Sequence, residues 1–216
     1  KFGAVSKNMQ YEPALRELRA AFVCGSGMVE LYADYELMNT VGDGKLWADL
    51  AECVAWQKKN ADVLPDAHWV GGNPWTGSKC EVYGWAAWNG IKSTLALRNG
   101  SNSAQTYKFT LREALNIPAN INGYVNLKPS FKVQDKLSGL TEGVEIDIDE
   151  VLTVELAGSS VYAFDGVGEF IYDSIEQQQT QNVAPQSSAV YDLQGRLVEN
   201  PTKGIYIKGN KKVFIK

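Results

Sequence analysis

The stretch DAHWVGGNPW, residues 66–75, concentrates the only histidine of the chain, two of its six tryptophans, a Gly-Gly pair and a proline. Imidazole moves protons or binds metal near neutral pH, and indole faces stack on the apolar faces of sugars. The chemistries open to this stretch are therefore acid–base catalysis, metal binding and glycan recognition. No GxSxG elbow and no second histidine accompany His68, so neither a Ser-His-Asp arrangement nor a histidine-shared metal follows from it. His68 reads instead as a hydrogen-bonded structural group, with Asp66 either accepting from the imidazole or capping the turn. Together Asp66, His68 and Trp69 read as a structural corner, with His68 and Trp69 wedging helix against sheet. Trp75, in a Gly/Pro loop, is the tryptophan expected to reach solvent and a sugar.

The remaining candidates are weaker. Cys24, Cys53 and Cys80 are odd in number and lack metal-type spacing, so at least one thiol stays free and neither metal nor cofactor is expected. Residues 147–150, DIDE, place oxygen ligands two apart as a hard cation requires, but without a glycine-turned loop they read as a strand end. Asn99-Gly100-Ser101 matches a glycosylation pattern formally and reads as a plain turn. Net charge is −4, from 21 Lys+Arg against 25 Asp+Glu, with no basic stripe, which argues against a nucleic-acid partner. No apolar run approaches the roughly 20 residues of a membrane span.

The elements that must position these residues change type at the same corner. Before it, YEPALRELRAAFVC carries Leu15, Leu18, Ala21 and Phe22 at helical spacing, and should stop at Gly25-Ser26-Gly27. Met28 to Tyr32 form a short apolar stretch suited to a buried strand. KLWADLAECVAWQKKN, residues 45–60, is a second helix with Leu46, Leu50, Cys53, Val54 and Ala55 expected on its buried face. From residue 67 the period falls from near 3.6 to near 2, in runs such as EVYGWAAWN, KSTLALRN, VLTVELAG and SVYAFDG. Tyr83 and Trp85 share one face of their strand and Trp88 lies on the other. The fold class is thus α+β: a helical segment over 1–66, an antiparallel β-sandwich over 67–173, a glutamine-rich linker over 174–188 and a short β module over 189–216. About 28 residues are too few for a full domain, so the last module is expected to pack on the sandwich as extra strands or as a small hairpin.

The order AFVCGSGMVELYADYELMN, LWADLAECVAWQKKNADVLPDAHWVGGNPW, EVYGWAAWN, STLALRNGS resembles the barrel-to-sandwich junction of alpha-galactosidase-like (melibiase-type) glycoside hydrolases. The resemblance implies that residues 13–24 are the seventh barrel helix, 28–33 the eighth strand and 45–60 the eighth helix, so that the helical segment is the end of a (β/α)8 barrel. It also implies two catalytic carboxylates on mid-barrel strands that precede this stretch, leaving the chain inactive alone. Glu30 and Asp34 fall where the eighth strand would end, and there either contact a sugar hydroxyl or serve as ordinary pairing and capping groups. The tail VYDLQGRLVENPTKGIYIKGNKKVFIK is similar to C-terminal sorting-type tails of secreted glycan-degrading proteins of Gram-negative bacteria. It implies the export machinery as a partner and a secreted, periplasmic or cell-surface location.

Three functions follow as expectations: the non-catalytic C-terminal portion of a secreted glycoside hydrolase whose sandwich buttresses the barrel, a stand-alone carbohydrate-binding module, or a surface-displayed structural protein. The first expects an exposed apolar patch on the helix faces carrying Leu18, Phe22, Leu50 and Val54, where the rest of a barrel would sit. Burial of those residues by the chain's own sandwich counts against it. The second requires exposed aromatic rings. Partners are a glycan or oligosaccharide, with no nucleic acid and no membrane span.

Overall fold

A computed structural model describes residues 10–26, 29, 35–75, 80–172, 190–208 and 211–215. Glu30, Asp34, the expected strand at 28–33 apart from Val29, and the linker at 174–188 lie outside the described residues. The chain is α+β, and it divides into one unit over 1–172 and another over 173–216.

Helix α1 spans Tyr11–Val23 and ends where Gly25 adopts φ +76°, a conformation that costs a glycine nothing. A short helix α2, Tyr35–Thr40, leads through a 3-10 turn, Val41–Gly44, into α3, Lys45–Lys59. Lys58 and Lys59 sit in the last turn of α3, where the helix dipole favours cations. The buried residues of α3 are Leu46, Cys53 and Trp56, with Leu50 and Val54 half-buried and Ala55 exposed. The helix is thus turned from the expected face toward Trp56, whose indole offers far more apolar area than a methyl group.

The strands are β1 (His68–Gly71), β2 (Tyr83–Trp88), β3 (Lys92–Asn99), β4 (Gln105–Phe109), β5 (Ile121–Pro129), β6 (Glu145–Asp147), β7 (Leu152–Leu156) and β8 (Ser160–Tyr172). Six form an antiparallel sheet in the order β1-β2-β3-β8-β5-β6, and β4 pairs with β7 in a second sheet. Between them lies the larger core, built on Leu95, Leu97, Val125, Leu127, Val154 and Phe164. After β4 the chain forms a helical turn, α4 (Leu111–Ala114), because Thr110 and Glu113 form a reciprocal capping box.

The six-stranded sheet is buried on both faces along β3, which is why five successive residues, Ser93 to Leu97, are all buried. Large residues Leu95, Leu97 and Phe164 face the sandwich core. Ala96 and its partner Ala163 face the helices, and their small side chains let Leu18, Phe22, Cys53 and Trp56 pack closely. The helix faces expected to await a barrel are therefore covered in part by this chain's own sheet. Leu18 and Phe22 are buried with Ala96, Phe131 and Ala163, while Leu50 and Val54 are half-buried against the same cluster.

In the second unit β9 (Val190–Tyr191), β10 (Gly204–Lys208) and β11 (Lys211–Ile215) pair with one another in the order β11-β10-β9. The DLQGR segment is a turn in which Asp192 accepts from the backbone N–H groups of Gln194 and Arg196 and from the Arg196 guanidinium. Gly195 supplies the required positive φ.

Burial between α1 and α3 pushes the Cys53 thiol up from 9.0 to about 12. All three cysteines are unpaired. Because the unfolded chain releases this proton first, the stabilising contribution is intact below about pH 9 and is lost as pH rises toward about 12. Urea midpoints of the wild type and Cys53→Ala between pH 7 and 10.5 should show the wild-type advantage narrowing above pH 9.

Candidate functional site

The corner is built from both sides of β1. His68 turns inward, with Nε2 2.8 Å from the carbonyl of Ala114, at the end of α4, and Nδ1 3.1 Å from the carbonyl of Asp66. The imidazole thus meets the Asp66 backbone and not its carboxylate. Trp69 turns outward and stacks on Tyr83, with rings 5° from parallel and centroids 5.0 Å apart. Its indole donates to the Gly72 carbonyl and remains 50% exposed. The wedge between helix and sheet is made by Trp85, which packs into the helix-facing cluster, whereas Trp88 lies on the sandwich side against Phe170. Trp75 is 86% exposed in the loop after β1.

A second constellation was not legible as a motif. The Asp165 carboxylate, on β8, accepts from Trp56 Nε1 at 2.7 Å, Ser130 Oγ at 2.9 Å, Asn60 Nδ2 at 3.2 Å and Lys59 Nζ at 2.6 Å. It joins the C-terminal end of α3 to β8 and to the residue after β5. Arg98 on β3 pairs with Glu17 of α1 at 2.7 Å, and Arg19 lies over the Phe131 ring while donating to the Val133 carbonyl. Polar pins and apolar packing therefore hold the same helix–sheet seam. The helical spacing of Trp56 from Cys53 was the one sequence signal for it.

Beside Asp165 the outer sheet face lies open. A groove of about 610 Å³ runs over β5, β6 and β8, with Lys59 at one end and Tyr124, Asn126, Lys128, Glu145 and Glu169 along its floor. Register explains the grouping, because Glu145, Asn126 and Val167 lie opposite one another on adjacent strands, as do Tyr124 and Glu169.

Two motif candidates resolve into structural roles. Asp149 of the DIDE run is held by Arg112 through paired contacts of 2.5 and 2.7 Å, and that guanidinium keeps its carboxyl below the usual range. Asn99 is fully buried and its amide donates to the carbonyls of Ser103, Leu156 and Ala157, so the formal glycosylation triplet is a turn organised by its own asparagine. No helix among the described residues is long and apolar enough to cross a membrane.

No family model and no curated protein matches the sequence. Solved structures do. The chain is similar in structure to alpha-galactosidase-type glycoside hydrolases. Alpha-galactosidase I of Mortierella vinacea is 13% identical at a TM-score of 0.42, over 73% of this chain and 36% of that one. A candidate alpha-N-acetylgalactosaminidase of Bacillus halodurans is 12% identical at 0.35, over 74% and 33%. A candidate alpha-galactosidase of Bacteroides fragilis is 11% identical at 0.33, over 73% and 29%. The chain spans about a third of the length of these structures.

Removing the Asp165 carboxylate strands three donors in a largely buried setting. Asp165→Ala should cost about 2–4 kcal/mol in urea unfolding. Lys59→Ala, which removes the exposed partner, should cost less than about 1 kcal/mol.

Proposed function

We propose that this chain is the non-catalytic C-terminal portion of a glycoside hydrolase acting on glycans, with the sandwich buttressing a catalytic barrel. The observation that carries this reading is the two-sided character of α3. One side is pinned to the sheet by Trp56, Cys53 and the Asp165 contacts. The opposite side presents Trp47, Ala48, Ala51 and Ala55, all exposed, and Tyr35 packs its ring 6.1 Å from that of Trp47. A helix held rigidly from behind with an apolar, largely small-residue face outward suits close packing by a further layer.

The residue resemblance supplies the identity of that layer, a (β/α)8 barrel whose earlier strands bear the catalytic carboxylates. The patch first expected, on Leu18 and Phe22, does not support the reading, because the sheet covers both; the support comes from the other side of α3. That burial favours the second reading, a self-supporting carbohydrate-binding module, for which Trp69 and Trp75 offer exposed rings. The tail motif supports a secreted bacterial protein, exported to the periplasm or cell surface.

The test pairs Ala51→Arg and Ala55→Arg in two contexts. In this chain alone the melting temperature should be nearly unchanged, since exposed substitutions act within about ±0.5 kcal/mol. In the product that includes the coding sequence upstream of Lys1, both should lower the melting temperature by several degrees and reduce hydrolysis of an α-galactoside. Hydrolysis by this chain alone, or indifference of the longer product to both substitutions, overturns the proposal.

A further inference from the structure

The open groove over β5, β6 and β8 has a chemistry that the helix–sheet seam does not use. Its floor is the face of the sheet, so the backbone polar groups of β5 are occupied by ladders to β8 and β6. Apart from the outer edge of β6, which is only three residues long, a peptide strand, which binds by adding to a sheet edge, has nothing to pair with here. Any ligand must be recognised by side chains.

Those side chains are uncommitted. Lys128, Glu145 and Glu169 make no ion pair or hydrogen bond among the described residues. Tyr124 stands between them, 47% exposed as a residue, and Val167 is exposed beside Asn126. Asn126 lines the groove, yet its Oδ1 is shielded and meets no donor. An amide that makes no hydrogen bond through its oxygen loses none when it turns toward the groove, and a ligand hydroxyl met there removes the cost of the orphaned acceptor.

Charge decides the ligand class. Lys59 and Asp165 neutralise each other at one end, and Lys128 stands against Glu145 and Glu169 along the rest. Neither a polyanion nor a strong cation is selected by so mixed a set. An aromatic face, a valine methyl surface, carboxylate and amide acceptors and an ammonium donor within one shallow groove match a ring with an apolar CH face and hydroxyls at its edge. The volume of about 610 Å³ falls within the range of small-ligand sites and holds a short oligosaccharide.

We infer that this groove binds a neutral saccharide, with Tyr124 as the stacking platform, Asn126 and Glu169 as hydroxyl acceptors and Lys128 as a donor. The choice of galactosides as first probes rests on the function proposed above; the site rests on the groove alone. Calorimetric titration of the full chain with galactose, an α-1,6-linked galacto-oligosaccharide and a cello-oligosaccharide should show saturable binding of at least one. Tyr124→Ala should weaken it about tenfold. Asn126→Ala should weaken it several-fold while leaving the melting temperature unchanged or raised, a split that a merely structural asparagine would not give. Val151→Ala, at an exposed residue outside the groove, should leave the affinity unchanged. The proposal is overturned if none of the three saccharides saturates, if binding survives both groove substitutions, if Val151→Ala or Trp75→Ala alone abolishes it, or if only a charged polymer or a peptide binds. None of these readouts involves the outward face of α3, so the buttress reading stands or falls separately.

Discussion

The Asp165 carboxylate, within β8, is where the sheet becomes a helix anchor. Trp56 and Asn60 reach it from α3 and its C-terminal cap, Ser130 from the residue after β5, and Lys59 closes the solvent side. A carboxylate in so sheltered a position is tolerable only because each oxygen is met by donors, and those donors in turn need it. The consequence is mutual dependence: α3 keeps its rotation because the Trp56 N–H has a polar destination at the edge of an apolar cluster. The groove keeps its end wall because Lys59 is tied to the sheet at 2.6 Å.

The sheet carries two different surfaces in one set of strands. Toward the sandwich it presents Leu95, Leu97, Val125, Leu127 and Phe164, bulky groups that fill the space above β4 and β7. Toward the helices it presents Ala96 and Ala163, which leave room for side chains arriving from α1 and α3. Beyond Asp165 the same outer face has no helix over it among the described residues and turns polar, with Asn126, Lys128, Glu145 and Glu169 around Tyr124. One strand, β8, passes under all these environments, and the period-2 alternation of its side chains is what allows it.

Some of this was readable from residue order. The helical spacing in 11–23 and 45–59, the glycine after α1, and the alternation of Tyr83 and Trp85 against Trp88 each report a local rule that tertiary packing did not oppose. Other features were not readable because they depend on which surface meets which. Ala55 and Trp56 are neighbours, and a helical wheel places them only 100° apart, so the buried edge was decided by the sheet that received it. Trp69 and Trp85 are direct partners across β1 and β2, yet one is half-exposed and the other wedged under a helix, since the helices stop short of the sheet edge.

The sequence by itself determined an α+β chain whose period changes near residue 67, a net charge of −4, and turns written in Gly, Asn and Asp. These follow from backbone preferences and side-chain alternation acting over a few residues. The tertiary structure alone decided that Asp165 would anchor a helix more than 100 residues away in the chain, with Trp56 at a separation of 109. It alone brought Tyr124, Asn126, Lys128, Glu145 and Glu169 around one groove. Such groupings arise from strand register and layer packing, which join residues through space at distances along the chain that no local pattern encodes.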